Sequence, residues 1–255
     1  MKRVSILLFL ACACFLVNGQ DNASMDITAN GATFKMIFVK GGTYTMGGTA
    51  EQGADCTDDE KPAHSVTLSD FYMGETEVTQ ELWEAVMGTN PSSFKGADFP
   101  VEMVSLFQAM EFVEKLNEMT GKTFRIPTEA EWEYAARGGE QSKHYKYCGS
   151  NTLSEVGWSK ENSGAKTHAV KSKAPNELGL YDMSGNVWEW CSDVFGRYGA
   201  NAVTNPGRPI QEGLTGIRRG GCWMFSAPYN RVSTRSRTAP ERKSNQNGFR
   251  LVLVP

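Results

Sequence analysis

Histidine is scarce in this sequence. There are three, His64, His144 and His168, and none stands near another. That removes the His-Glu-x-x-His pair, the facial triad and mixed His/Cys ligand sets, and with them the common zinc and non-haem iron enzymes. There is no Gly-x-Ser-x-Gly turn to expose a serine nucleophile. Gly41-Gly42 and Gly47-Gly48 lack the lysine and following helix of a phosphate-cradling loop. Carboxylates are plentiful, but no pair stands in a glycosidase frame. Charge excess is also lacking. The net charge of −3 offers no electrostatic footprint for nucleic acid. The distribution is uneven, since residues 207–255 hold nine Lys/Arg against two acids.

Long apolar runs are absent beyond Val4–Val17, which follows Lys2-Arg3 and is too short to span a bilayer comfortably. This reads as an export signal. Val17 and Gly19 place cleavage after residue 19, which leaves no transmembrane segment and a protein in the periplasm, on the cell surface or secreted. Cleavage would leave Cys56, Cys148, Cys191 and Cys222. Four cysteines permit two disulfides in three connectivities, or free buried thiols.

Several local signals are present. Residues 20–33 are polar and read as disordered, which sets the domain at 34–255. Met36–Gly47 reads as a hairpin about Gly41-Gly42, and His64–Leu68 and Phe71–Met73 as short strands. Residues 48–62 carry Asp55, Asp58, Asp59 and Glu60 and read as a solvated loop. Thr79 caps a helix that Gly88 stops. Ser105 opens the longest helix, with Leu106, Met110, Val113 and Leu116/Asn117 as its core face and Gly121 as its end. Thr128 and Glu131 form a capping box for a third helix reaching Arg137. Short strands, three helices and much loop, with no linker or repeat, describe one compact α+β domain of low regular structure.

The densest stretch is Asn176–Asp193. Gly185-Asn186 is a turn dipeptide, and Trp188 and Trp190 point one way on an extended chain with Glu189 opposite. Bared carbonyls beside Asp182 and Glu189 suit Ca²⁺, which takes several oxygens in a flexible ring. The same residues equally describe a buried tryptophan turn whose carboxylates pair with arginines.

Seven blocks in order resemble the formylglycine-generating enzyme, or sulfatase-modifying factor, family. They are Phe38–Gly47, Glu75–Trp83, Pro100–Ser105, Arg125–Gly139, Gly179–Trp190, Arg219–Trp223 and Gly248–Leu251. The resemblance implies a C-type lectin-like fold. It also implies a structural Ca²⁺ at Asp182 and the backbone of Met183, Gly185 and Val187, to which the chemistry of the turn itself adds Glu189. The family's oxidase needs two cysteines after Arg-Gly-Gly-Ser-Trp, which bind copper(I) while oxygen converts a sulfatase cysteine to formylglycine. Here the block is Arg219-Gly-Gly-Cys-Trp223 and no cysteine follows Cys222. Cys222 is then a weak candidate for chemistry, and copper is not expected.

Two function classes follow. One is a non-catalytic exported module that holds a glycan or protein ligand, similar to the variable proteins of diversity-generating retroelements. Their lectin-like domains end in a stretch from Arg-Gly-Gly-x-Trp to Gly-Phe-Arg-Leu. The other is an enzyme, either an oxidase acting on a sulfatase cysteine or a different reaction in the same cleft. For binding, Trp223, Phe225 and Tyr229 supply aromatics, and Arg237, Arg242 and Lys243 supply loop cations. That set suits a sulfated or uronic glycan, or an acidic protein loop. Arg231 and Arg235 take a buried role by resemblance, with Glu131, Glu133 or Glu189 as partners.

Overall fold

The structure is a computed structural model that describes residues 24–211 and 213–255. The expected leader, residues 1–19, lies outside the described residues. The chain begins with β1 (Met25–Ala29) and β2 (Ala32–Val39), an antiparallel pair in the register Met25↔Met36 to Ala29↔Ala32. Asn30 and Gly31 turn between them at φ 46° and 90°, the positive angles that a two-residue hairpin turn demands. The expected disorder over 20–33 is therefore corrected for residues 25–33. Ile27 and Ala29 alternate inward and are buried, so even a short polar stretch gains a ladder and an apolar face.

Met36–Gly47 is not a hairpin. β3 (Thr43–Met46) pairs with β4 (His64–Thr67), whereas β2 pairs with β5 (Phe71–Gly74). The chain passes from one sheet to another at Gly41-Gly42. A Cβ on Gly41 would lie 2.4 Å from the Leu68 carbonyl, and the Gly41 N–H donates to Asp70. The glycines serve this close crossing, not a tight reversal.

Three helices follow the capping signals. α1 (Gln80–Met87) starts at the Thr79 hydroxyl and ends at Gly88 in the left-handed region. α2 (Leu106–Thr120) starts at Ser105 with a capping box to Gln108 and ends at Gly121. After β6 (Phe124–Arg125), α3 (Glu129–Ala136) starts at the Thr128/Glu131 box. The face of α2 differs from the expected one. Ala109, Phe112 and Leu116 turn inward with Leu106 and Val113, while Met110 is 42% exposed. Spacings of three and four both give a helical stripe. Packing decided between them, since Phe112 stacks on Trp83 at 5.3 Å and meets Phe249 edge-on.

The remaining strands are β7 (Trp188–Val194), β8 (Val203–Thr204), β9 (Gly216–Arg219), β10 (Arg235–Thr238), β11 (Asn247–Gly248) and β12 (Val252–Leu253). Among the described residues three sheets result, in the orders β1-β2-β5-β12-β6, β10-β9-β7-β11 and β3-β4-β8. One apolar cluster joins the first sheet to α1 and α2, and another joins it to α3. The domain is α+β, with the C-type lectin-like organisation. No helix among the described residues is long and apolar enough to cross a membrane. Cys56, Cys148, Cys191 and Cys222 are all free thiols, and the last three are buried.

Candidate functional site

The Asn176–Asp193 stretch is a buried turn. Asn176 organises its start: its carbonyl oxygen accepts from the Leu178 and Leu180 N–H groups, and its amide donates to Ala135. Asp182, Gly185 and Asn186 all have positive φ. At Gly185 a Cβ would lie 2.2 Å from the Trp158 carbonyl, so glycine is required twice over. Glu77 closes the turn from the β5–α1 loop. Its carboxylate accepts from the Val187 N–H at 3.1 Å and the Asn186 amide at 2.9 Å.

Asp182 is 2% exposed. One of its oxygens accepts from the Lys171 N–H at 2.8 Å, and the other, Oδ1, has no partner. Among the described residues, neither the Met183 nor the Gly185 carbonyl receives a backbone hydrogen bond. Burial pushes the Asp182 carboxyl up to about 6. Burial, then the charges of Asp182 and Glu189, push Glu77 up too. An orphaned buried carboxylate oxygen, in a turn with two carbonyls that accept no backbone hydrogen bond, fits a hard cation. Glu189 does not fit the set. Both its oxygens are held by Arg250, at 2.6 and 2.7 Å, and Oε2 also accepts from Trp132 Nε1. Its place as a candidate ligand is corrected to that of a structural ion pair. Among the described residues no three His, Cys, Asp or Glu side chains converge as a metal set, so such a site would lean on carbonyls.

Cys222 is fully buried against Trp188 and Trp223. Burial pushes its thiol up to about 12, so it is a poor thiolate at neutral pH. Cys148 and Cys191 belong to a different cluster. Among the described residues no other cysteine shares the cluster of Cys222.

The expected binding residues do not form one face. Trp223 is only 5% exposed and donates its indole N–H to Asn245, so it is corrected from a ligand contact to a core residue. Phe225 is half-buried between Trp188 and Tyr229, while Tyr229 is 52% and Met224 44% exposed. Arg242 and Lys243 are exposed on the following segment, which reaches back to this patch through Gln246 and Met224. Arg237 stands apart on β10. Its guanidinium lies 4.5 Å from the Phe195 ring, in a pocket of about 350 Å³ with Asp58, Asp59 and Arg197.

Arg231 and Arg235 are buried as expected, but with other partners. Arg231 binds Glu60, and Arg235 binds Glu129. The expected acids are taken elsewhere: Glu131 by Arg125, Glu133 by Arg219 and Arg137, and Glu189 by Arg250. Glu60 and Gln52 are fully buried, which corrects the reading of residues 48–62 as a wholly solvated loop. The acid count there gave no hint that one carboxylate faces inward. Glu77 lies within the Glu75–Trp83 block, where no local signal marks it as a buried carboxylate that closes a distant turn.

Comparisons with known proteins agree with this architecture. The chain is 34% identical to the chaperone protein LppX of Paenibacillus barcinonensis, over 74% of this chain and 81% of that protein. It is 28% identical to the formylglycine-generating enzyme of Streptomyces coelicolor, over 86% and 89% of the two chains. The solved structure of Treponema denticola variable protein 1 superposes with a TM-score of 0.83 at 33% identity, covering 91% of this chain and 99% of that one. The sulfatase-modifying factor enzyme 1-like domain model matches residues 23–254, and the chain therefore belongs to the formylglycine-generating enzyme, or sulfatase-modifying factor, family.

Proposed function

We propose that this chain is a non-catalytic binding module built on the sulfatase-modifying factor scaffold and exported by the leader expected at residues 1–19. One observation carries the reading. The family's oxidase chemistry needs a pair of soft thiolates, and here the only cysteine at that place is a fully buried, protonated thiol. The 33% match to a solved variable protein supports the module reading. The recognition surface is then Met224, Phe225 and Tyr229 with Arg242 and Lys243, facing an exported or surface ligand such as an acidic glycan or protein loop. Incubating the protein with copper(I), oxygen and a cysteine-containing sulfatase peptide is expected to leave the peptide mass unchanged. A mass loss matching thiol-to-aldehyde conversion, abolished in Cys222→Ser, would show an enzyme instead.

We also propose one structural Ca²⁺, held by Asp182 and the carbonyls of Met183, Gly185 and Val187. The orphaned Asp182 oxygen supports it. Binding the folded state alone at free metal 100 times Kd adds about 2.7 kcal/mol. In a domain of this size that raises the melting midpoint by about 5–10 °C. The comparison is Ca²⁺ against chelator, in wild type and Asp182→Ala. An equal midpoint in both solutions for the wild type would leave only the buried turn.

A further inference from the structure

The buried arginines among the described residues are paired, and a half-buried neighbour, Arg218, stands apart from them. Arg219, Arg231, Arg235 and Arg250 each bind a carboxylate. Arg218 binds none among the described residues. Its guanidinium donates to two neutral groups, Asn247 Oδ1 and, at 2.8 Å, Ser236 Oγ. A guanidinium has five N–H donors, so three remain unspent. One of them, on Nε, is buried without a partner.

The address of Arg218 follows from strand register. Ser236 on β10, Arg218 on β9 and Trp190 on β7 lie side by side, and Asn247 on β11 lies beside Trp188. The guanidinium carbon stands 5.4 Å from the Trp188 ring and 5.9 Å from the Trp190 ring. Arg219, Arg235 and Glu189 alternate to the opposite face, where they meet α3 and Arg250. Stacking on two indoles does not by itself settle this arginine. Cation–π contacts return less than even partial removal of a charge from water costs. Burial pulls Arg218 down to about 10, and the charge of Arg242 adds to that. No carboxylate among the described residues pairs with Arg218.

It also adjoins the proposed recognition surface. Asn247, which holds Arg218, ends the segment that carries exposed Arg242 and Lys243 and, through Gln246, touches exposed Met224. Trp188 lies under Arg218 on one side and touches Phe225 on the other, at 5.7 Å. We infer that Arg218, with Arg242 beside it, seats an oxyanion, the carboxylate or sulfate group of an acidic sugar whose ring lies against Met224 and Tyr229. This rests on the binding-module reading and adds its ligand class. A sugar is favoured over an acidic peptide because an exposed tyrosine ring and an exposed methionine lie on the adjoining patch, reached through Phe225 and Gln246, and such surfaces take the C–H face of a ring. The guanidinium fork matches the planar pair of oxygens that either acid offers.

The test is calorimetric titration of the full mature chain at fixed ionic strength. Probes are unsulfated and sulfated chondroitin disaccharides, neutral cellobiose and a tetra-aspartate peptide. The wild type is expected to bind a chondroitin disaccharide and not cellobiose. Binding of the unsulfated form assigns the carboxylate, and binding of the sulfated form alone assigns the sulfate ester. Arg218→Gln should weaken binding about tenfold or more, as loss of a charged hydrogen bond does. Arg218→Lys should restore part of it. Arg242→Gln, at an exposed residue, should weaken binding about threefold with an unchanged melting midpoint. It decides the matter if Arg218→Gln does not fold. Wild-type affinity in the folded Arg218 and Arg242 variants, tighter binding of the peptide, or no binding of either disaccharide overturns the seat. Loss of binding in Tyr229→Ala but not in Arg218→Gln would leave the module standing without it. A positive formylglycine assay would remove the module itself.

Discussion

Arg250→Met is expected to destabilise the domain by about 3–5 kcal/mol, the cost of leaving one member of a buried ion pair alone. Arg250 and Glu189 are both fully buried and joined by two bonds, Nε to Oε2 at 2.6 Å and Nη2 to Oε1 at 2.7 Å. The remaining guanidinium donors reach the Gly74 carbonyl at 3.1 Å and the Tyr181 carbonyl at 2.9 Å. One side chain thus ties the C-terminal stretch to β5 and to the Asn176–Asp193 turn. Without it, the Glu189 charge would sit beside Glu77, which already feels that charge, and Asp182. The double change Glu189→Leu/Arg250→Met removes both charges and should recover most of the loss, since apolar replacements of a buried pair are near neutral. Urea unfolding of the three proteins measures this. A single-variant loss under about 1 kcal/mol would mean that Glu189 is relieved another way.

Acid should weaken the domain through Glu60. Burial pushes this carboxyl up, but hydrogen bonds from Arg231, Ser233 and the Thr57 N–H outweigh it and hold it at about 2. Arg231 contributes two bonds, at 2.6 and 2.9 Å. A folded pKa below the unfolded one means that the stabilisation is complete above pH 4.5. It is lost as pH falls from there toward 2. The drop from 4.5 to about 2 corresponds to about 3 kcal/mol. Asp193 works in the opposite sense. Burial pushes it up from 3.8 to about 6, so protonation below that pH favours the folded state. Stability should therefore rise slightly between pH 7 and 5 and fall steeply below 4.5. Urea unfolding across pH, in wild type and Glu60→Gln, isolates the lower limb. An unchanged acid limb in Glu60→Gln would assign it to other carboxylates.

The sequence by itself determined what depends on near neighbours. Thr79, Ser105 and Thr128 cap the helices expected of them, and Gly88 and Gly121 end two of those helices, because a cap is a bond spanning three or four residues. Trp188 and Trp190 share one side of their strand and Glu189 takes the other, as the two-residue period of a strand requires. The family blocks and the missing second cysteine were equally legible. Only the tertiary structure decided which charges pair. Arg231 meets Glu60 across 171 residues and Arg235 meets Glu129 across 106, and no spacing rule reaches that far. Burial was decided the same way for Trp223 and for the inward face of α2. An indole or a methionine reads alike in a core and on a surface, and its place is settled by what packs against it from elsewhere in the chain.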